Sequence, residues 1–316
     1  MATHSWTYNA PTGVYQNHAL SSDIRMAAIA QTVFMQFSKP ADGYGMHKGS
    51  NVTITRVSNV AVPSDDSLVE LDRIPEDTMS LSTQAIATAE RGRAIPYTAL
   101  SLDLAHFDLE NAIQKKLRDQ LALRLDYLVA TAFKAGQVKA IPDGIASLTM
   151  DTDGTASTSA ASNLNVYHME QLRDQLFSTY NVAPYANGDY MMIGSTKALR
   201  GIKRDPNWEK WKVYSDSEAK YNSEVGKIEG IRVMESNNTN ALSQSLGTGA
   251  VLGEAVVFGD DPIAMATVRD PELRAKESED YGRSKGVAWY GNYGFDQIWK
   301  DSATAGEARV IHITSA

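Results

Sequence analysis

The sequence predicts an α+β fold, on three observations. Residues 51–104 alternate apolar and polar positions in extended stretches. Residues 108–135 carry the three- and four-residue spacing of one long helix, and strand patterns return near 251–258, 263–269, 286–299 and 307–314. No repeat of fixed period runs through the chain.

Residues 1–50 read as an arm. Ile24, Met26, Ile29, Val33 and Phe34 suggest one short helix at 21–36, and Pro11, Gly13, Pro40, Gly43 and Gly45 punctuate the polar remainder. An arm of this size buries little and needs another surface to lie on. Val52, Ile54, Val57, Val60 and Val62, with threonines between them, then give a strand pattern that ends in the turn cluster Val62-Pro63-Ser64-Asp65-Asp66-Ser67. Two more alternating stretches follow, Met79–Thr88 and Ala94–Leu104, with Arg91-Gly92-Arg93 as a turn between them. A long two-stranded projection is marginal alone and packs against something else.

The strongest local signal is the helix. Asp108 is an N-cap, and Leu109, Ile113, Leu117, Leu121, Leu125, Leu128 and Ala132 form a stripe widened by Ala112, Val129 and Phe133. Glu110, Lys115, Lys116, Arg118, Asp119, Arg124 and Asp126 take the polar face, and Gly136 is placed to terminate the helix. About 27 residues at ~1.5 Å each span about 40 Å, so the helix reads as a rod across a sheet. A carboxylate at Leu121 is expected to abolish folding.

Residues 142–164 are small and polar and read as a loop, and a second helix runs over 165–180. Tyr190–Ile193 is a strand, and Ser195 caps a short helix through Ile202. Charged and aromatic residues fill 203–224, including Trp208, Trp211, Tyr214 and Tyr221. A strand returns at Gly230–Met234, a polar loop covers 235–249, and Asp270–Lys285 reads as a solvated loop.

Composition excludes several classes. The chain of 316 residues has a net charge of −8 and no cysteine. Disulfides, thiolate metal sites and cysteine nucleophiles are out, and the charge argues against a dedicated nucleic-acid binder. No 18-residue apolar run exists and residues 1–17 are polar, so neither a membrane span nor a secretory signal is expected. None of the six histidines pairs at helical metal-ligand spacing. No cofactor or metal is expected.

One enzymatic alternative stands beside this. Asp151-Thr152-Asp153-Gly154-Thr155 matches the D-x-D-G-T signature of haloacid-dehalogenase-type phosphatases, and Gly259-Asp260-Asp261 mimics their later acidic motif. In that reading Asp151 is the nucleophile and Asp153 the acid/base of a magnesium-dependent phosphatase. The plainer reading is a polar turn. Trp289, Tyr290, Tyr293, Phe295 and Trp299 crowd near Arg283, Lys285 and Lys300. They read as core or contact residues ahead of a base-stacking surface.

Three stretches carry a resemblance. They are Leu81–Phe133, the run Gly226-Lys227-Ile228-Glu229-Gly230-Ile231-Arg232-Val233-Met234-Glu235-Ser236, and the aromatic block Phe258–Trp299. In this order they resemble major capsid proteins of tailed bacteriophages, within the Hong Kong 97 fold, and most nearly the coat proteins of the phage N-four type. The resemblance implies an N-terminal arm (1–50), a β-hairpin E-loop (51–95), and a peripheral domain (96–164) with its spine helix at 108–135. An axial domain (165–250) and returning peripheral strands with the C-terminus (251–316) complete it. It implies hexamers and pentamers forming an icosahedral shell that encloses double-stranded DNA without binding it specifically. Scaffold, portal and decoration proteins are the further partners it allows. The virion capsid is the implied location, after assembly in the host bacterial cytoplasm. An encapsulin-like compartment shares the fold and is the structural alternative. The candidate contacts between copies are Val62, Pro63, Asp65 and Asp66 at the hairpin tip, and Trp208 and Trp211. The tip has no lysine to form the cross-link of the fold's founding member.

Overall fold

The computed structural model describes residues 30, 32–41, 45–58, 60, 62–68, 73–206, 224–242, 253–277, 279–300 and 307–316. Most of the helix expected over 21–36 lies outside them. Its described end, Phe34–Phe37, is one 3-10 turn leading into β1 (Ser38–Pro40). The strands β2 (Asn51–Val57) and β3 (Leu81–Ala87) pair in antiparallel register and form a two-stranded sheet.

β4 (Ala89–Thr98) runs straight through Arg91-Gly92-Arg93, where the sequence suggested a turn. Gly92 pairs with Tyr290, and a Cβ there would stand 2.9 Å from the Trp289 carbonyl oxygen. Glycine serves close strand approach here, not chain reversal. The segment expected to stay extended to Leu104 instead becomes α1 (Ala99–Leu104). Thr98 and Ser101 cap it reciprocally through side chain and backbone.

α2 (Leu109–Lys134) follows, within a residue of its expected bounds, with Asp108 accepting from the Asn111 backbone N–H at 3.0 Å. Its C-terminal end is capped by tertiary partners. Gln297 Nε2 donates to the carbonyls of Ala132 at 2.8 Å and Phe133 at 2.7 Å, and Lys139 Nζ donates to that of Lys134 at 2.6 Å. Gly136 is not a left-handed terminator. It makes room for Gln297, whose Oε1 a Cβ would meet at 2.7 Å.

The expected loop over 142–164 holds the end of β5 (Lys139–Gly144) and all of β6 (Ser147–Asp151). α3 (Val166–Asp174) starts at an Asn165–His168 capping box and ends in a π-helical turn, Gln175–Thr179. Then come β7 (Tyr190–Ser195), α4 (Arg200–Arg204), β8 (Glu224–Ile228), β9 (Ile231–Ser236) and β10 (Gly253–Phe258). β11 (Ile263–Ala275) and β12 (Ser284–Asp296) extend through half of Asp270–Lys285, which is a hairpin, not a solvated loop. Its charges sit on exposed flanks, where Arg274 pairs with Glu272 and lies over the Tyr290 ring. The chain closes with β13 (Val310–Ser315).

The seven-stranded sheet has the order β6-β5-β13-β10-β7-β9-β8, and the four-stranded one β1-β11-β12-β4. On one face of the larger sheet, Ala255, Val257, Ile311 and Met192 pack under α3 and α4 with Met169, Leu172 and Ile202. On the other, Val256, Phe258, Met191 and Ile193 meet Phe133 of α2 and Phe34 and Phe37 of the arm. The arm is therefore wedged between helix and sheet, with Phe37 and Phe258 rings 5.0 Å apart edge to face.

α2 serves both sheets. Leu109, Ile113 and Leu117 pack with Val287 and Trp289 of the four-stranded sheet, and Val129, Ala130, Ala132 and Phe133 pack on the seven-stranded one. From Leu117 to Asp126 the helix turns about two and a half times at about 100° per residue, so the two buried faces lie roughly opposite each other. The expected single stripe is thus corrected. Leu121, Leu125 and Leu128 are half-buried, at the crossover. Asp126, assigned to the polar face, is fully buried. Its Oδ1 accepts from the backbone N–H groups of Val33 at 2.9 Å and Phe34 at 2.8 Å, and its Oδ2 from Asn238 Nδ2 at 2.9 Å. Burial raises its pKa, and these hydrogen bonds oppose the rise.

A second buried polar group lies under the helix end. Lys134 Nζ sits 3.4 Å from Glu254 Oε2, and His312 Nε2 3.4 Å from Glu254 Oε1. Burial lowers Lys139 to about 8 against the attraction of Glu254, and lowers His312 as well.

Three outcomes are expected. Asp126→Ala leaves three donors without an acceptor and costs about 2–4 kcal/mol by urea denaturation. Leu117→Asp, not Leu121→Asp, prevents folding, read by loss of the circular dichroism signature of soluble protein. Lys139 is depressed in the folded state, so the unfolded chain binds more protons between pH ~8 and the unfolded lysine range. Its contribution makes stability rise with pH across that window, and Lys139→Met removes that slope in pH-dependent thermal melts.

Candidate interaction surface

The hairpin of β2 and β3 is anchored at its root and bare beyond it. Ile86 is fully buried with Ala264, Ala266 and Ile298, and Val52, Ile54 and Trp299 pack beside them. Arg56 Nη1 donates to the Ile298 carbonyl at 2.9 Å, and its guanidinium lies 6.0 Å from the Trp299 ring centre. Gly294 lets the end of β3 cross β12, since a Cβ there would stand 2.1 Å from the Ala87 carbonyl oxygen. The pairing continues one step beyond the strands, where the Ser58 N–H donates to the Ser80 carbonyl at 3.1 Å.

Past that point the described residues of the connector between β2 and β3, from 60 to 80, are all exposed. Val62 is 92% exposed, Ile74 67% and Leu68 63%. Monomeric proteins rarely leave so many apolar side chains on one short segment without a partner. The acids of its sequence are Asp65, Asp66, Glu70, Asp72, Glu76 and Asp77, and among the described residues Arg73 is engaged by Glu76. Asp65 closes its own turn, accepting from the Ser67 backbone N–H at 2.9 Å and hydroxyl at 2.6 Å. Those bonds hold its carboxyl below the usual range. Val62, Pro63, Asp65 and Asp66 are thus together on an exposed tip. Trp208 and Trp211 lie outside the described residues. A second bare apolar group, Leu100 and Leu104, lies on α1.

Sequence reasoning missed a cleft. Arg91 and Arg93 project from one face of β4 towards Gln120 and Arg124 of α2, around an open cleft of about 380 Å³ that Trp289 also lines. Trp289 Nε1 donates to Gln120 Oε1 at 3.1 Å, which fixes the floor. The Nε of Arg91 is buried without an acceptor. Glu90 lies at the same cleft, and its interaction with the Tyr290 hydroxyl raises that tyrosine's pKa. The signal was present as Arg91 and Arg93 two apart, but reading them as a turn hid that period two places both on one side.

The remaining candidates settle elsewhere. Trp289 and Tyr293 are buried and offer no stacking surface. Asp151 accepts from the Ser157 backbone N–H at 2.7 Å and hydroxyl at 2.6 Å, and Asp153 from the Thr155 backbone N–H at 2.9 Å and hydroxyl at 2.8 Å. Asp151 ends the edge strand β6, with β5 and β13 between it and β10, which leads to Asp260 and Asp261. Three strand spacings put the two acid pairs about 14 Å apart across the sheet. Asp260 and Asp261 instead hold Lys39, Asp260 at 2.7 Å. Among the described residues no helix is long and apolar enough to cross a membrane.

No family model matches the chain, and no curated protein does. Solved structures do. The capsid of Ralstonia phage GP4 superposes with a TM-score of 0.69 at 14% identity, over 98% of this chain and 98% of that one. The cyanophage Pam1 capsid asymmetric unit gives 0.68 at 11% identity, over 99% and 100%. The head structure of Helicobacter pylori bacteriophage KHP40 gives 0.66 at 11% identity, over 95% of each. The likeness establishes the fold: the chain is α+β and shares the Hong Kong 97-type fold of phage capsids.

If the connector tip serves contacts between chains, it does little for the fold of one. Val62→Asp and Leu68→Asp are expected to shift unfolding free energy by no more than about 0.5 kcal/mol in urea titrations.

Proposed function

We propose that this chain is the major capsid protein of a tailed bacteriophage, a structural subunit that associates with copies of itself. The observation that carries the reading is likeness to capsid structures over nearly the whole of both chains, 98% and 98% for Ralstonia phage GP4. The bare connector supports it physically. A subunit that presents Val62, Leu68 and Ile74 to water gains stability when neighbours cover them.

On this reading residues 1–50 are the arm, 51–95 the E-loop, and 96–164 the peripheral domain with α2 as its spine. Residues 165–250 form the axial domain, supplying β7, β8 and β9 to the seven-stranded sheet, and 251–316 return as peripheral strands. Subunits gather as hexamers and pentamers and close an icosahedral shell around double-stranded DNA. The shell assembles in the bacterial cytoplasm and persists as the virion capsid. Scaffold, portal and decoration proteins join it there. No catalytic role is assigned. Asp151 and Asp153 are occupied by the turn they close.

Electron microscopy of the purified protein tests this directly, with closed shells or ring-shaped capsomers as the expected outcome. A chain that stays monomeric at all concentrations overturns it. A bacterial enzyme co-purifying inside the shells would favour the encapsulin-like compartment. Deleting 63–70 is expected to leave a folded monomer, by circular dichroism, that forms no shells, and normal particles from that deletion would refute the E-loop assignment.

A further inference from the structure

Three guanidinium groups meet at one cleft. Arg91 and Arg93 reach it from β4 and Arg124 from α2, around an open volume of about 380 Å³. Among the described residues none of the three forms an ion pair with a carboxylate. The one acid lining the cleft, Glu90, is engaged by the Tyr290 hydroxyl. On β12 the residues opposite Arg91 and Arg93 are Gly291 and Trp289, and neither side chain supplies an acceptor. Gln120 spends its carbonyl oxygen on Trp289 Nε1 at 3.1 Å, so its remaining polar group is an amide donor. Apart from Glu90, the cleft is lined with donors and cations.

Such a lining is unfavourable when nothing accepts from it. The Nε–H of Arg91 is buried with no acceptor. Burial raises the pKa of Tyr293, and Arg91 and Arg124 both oppose the rise, so two cations from different elements converge on one buried ring. Like charges held together repel, and an anion between them turns the repulsion into attraction. Three positive charges against one negative leave an excess of two at the cleft, which a single dianion matches. We propose that the cleft of Arg91, Arg93, Arg124 and Gln120 binds a phosphate dianion, either free or as the terminal phosphate of a small monoester. Arginine's planar fork meets two oxygens of such a group at once. A phosphodiester carries one charge per phosphate, and a chain of net charge −8 repels a long polyanion more than a small ion. Nucleic acid is therefore the poorer fit. The site goes beyond the structural role proposed above and stands on the cleft alone.

Isothermal titration of the full chain tests it, with sodium chloride holding the ionic strength constant. Inorganic phosphate, glycerol phosphate and a short DNA duplex are the three probes. One saturable site for phosphate is expected, and which of the two small probes binds more tightly tells a free ion from an ester. Arg93→Gln with Arg124→Gln, both at exposed positions, should weaken that binding about tenfold or more. Lys115→Gln with Arg118→Gln removes the same charge from exposed positions of α2 outside the cleft and should leave the affinity unchanged. Equal weakening in the two pairs reduces the effect to general charge and overturns the site. So does a duplex that binds through the cleft arginines where neither small phosphate does.

A second measurement needs no variant. Phosphate should shield Arg91, Arg93 and Arg124 from phenylglyoxal, mapped by mass spectrometry, and leave Arg118 reactive. A chain that forms shells but shows neither saturation nor shielding overturns the phosphate site and leaves the capsid reading. Saturation and shielding in a chain that never assembles keep the site and overturn the capsid reading.

Discussion

The fold depends on where one helix changes sides. The first half of α2 packs on the four-stranded sheet through Ile113 and Leu117, and its second half packs on the seven-stranded sheet through Val129 and Phe133. Asp126 sits at the start of the second face, and its carboxylate takes the backbone of Val33 and Phe34 and the side chain of Asn238. One buried carboxyl group therefore joins the long helix, the arm, and the segment that follows β9. Burying a carboxylate is costly unless its oxygens are filled, and here donors from two distant segments fill them. The geometry leaves little freedom in where the arm enters the core.

The same constraint explains what was legible in the sequence. The helix was readable because Asp108 and the dense leucine spacing mark its start and extent, and α2 (Leu109–Lys134) lies within a residue of the expected 108–135. Its orientation was not, because one stripe was read where two half-length stripes lie on opposite sides. Asp126 looks like any helical surface acid until residues about ninety positions away are folded onto it. Gly136 looks like a terminator for the same reason. Its true neighbour, Gln297, comes from beyond β12.

Strands were readable where apolar residues alternate and not where charges do. β7 and β10 were found from their buried runs. The outer part of the β11–β12 hairpin was missed because Arg269, Glu272 and Arg274 cover it. Cross-strand pairing and cation–π contact with Tyr290 make that stretch extended, and neither is a local signal. The candidate contact surface was half visible. Its acidic tip could be named, but the arginine cleft could not, because it exists only once β4 lies against α2.

The grip on α2 has a mechanical consequence. A rod of about 39 Å held on opposite sides at its two ends acts as a beam. A force that pulls one sheet relative to the other loads it in bending, along a continuous ladder of backbone hydrogen bonds, and does not peel a single apolar seam. The half-buried midpoint, from Leu121 to Leu125, is where such a load concentrates. Through that span a strain applied to one half of the chain would reach the other.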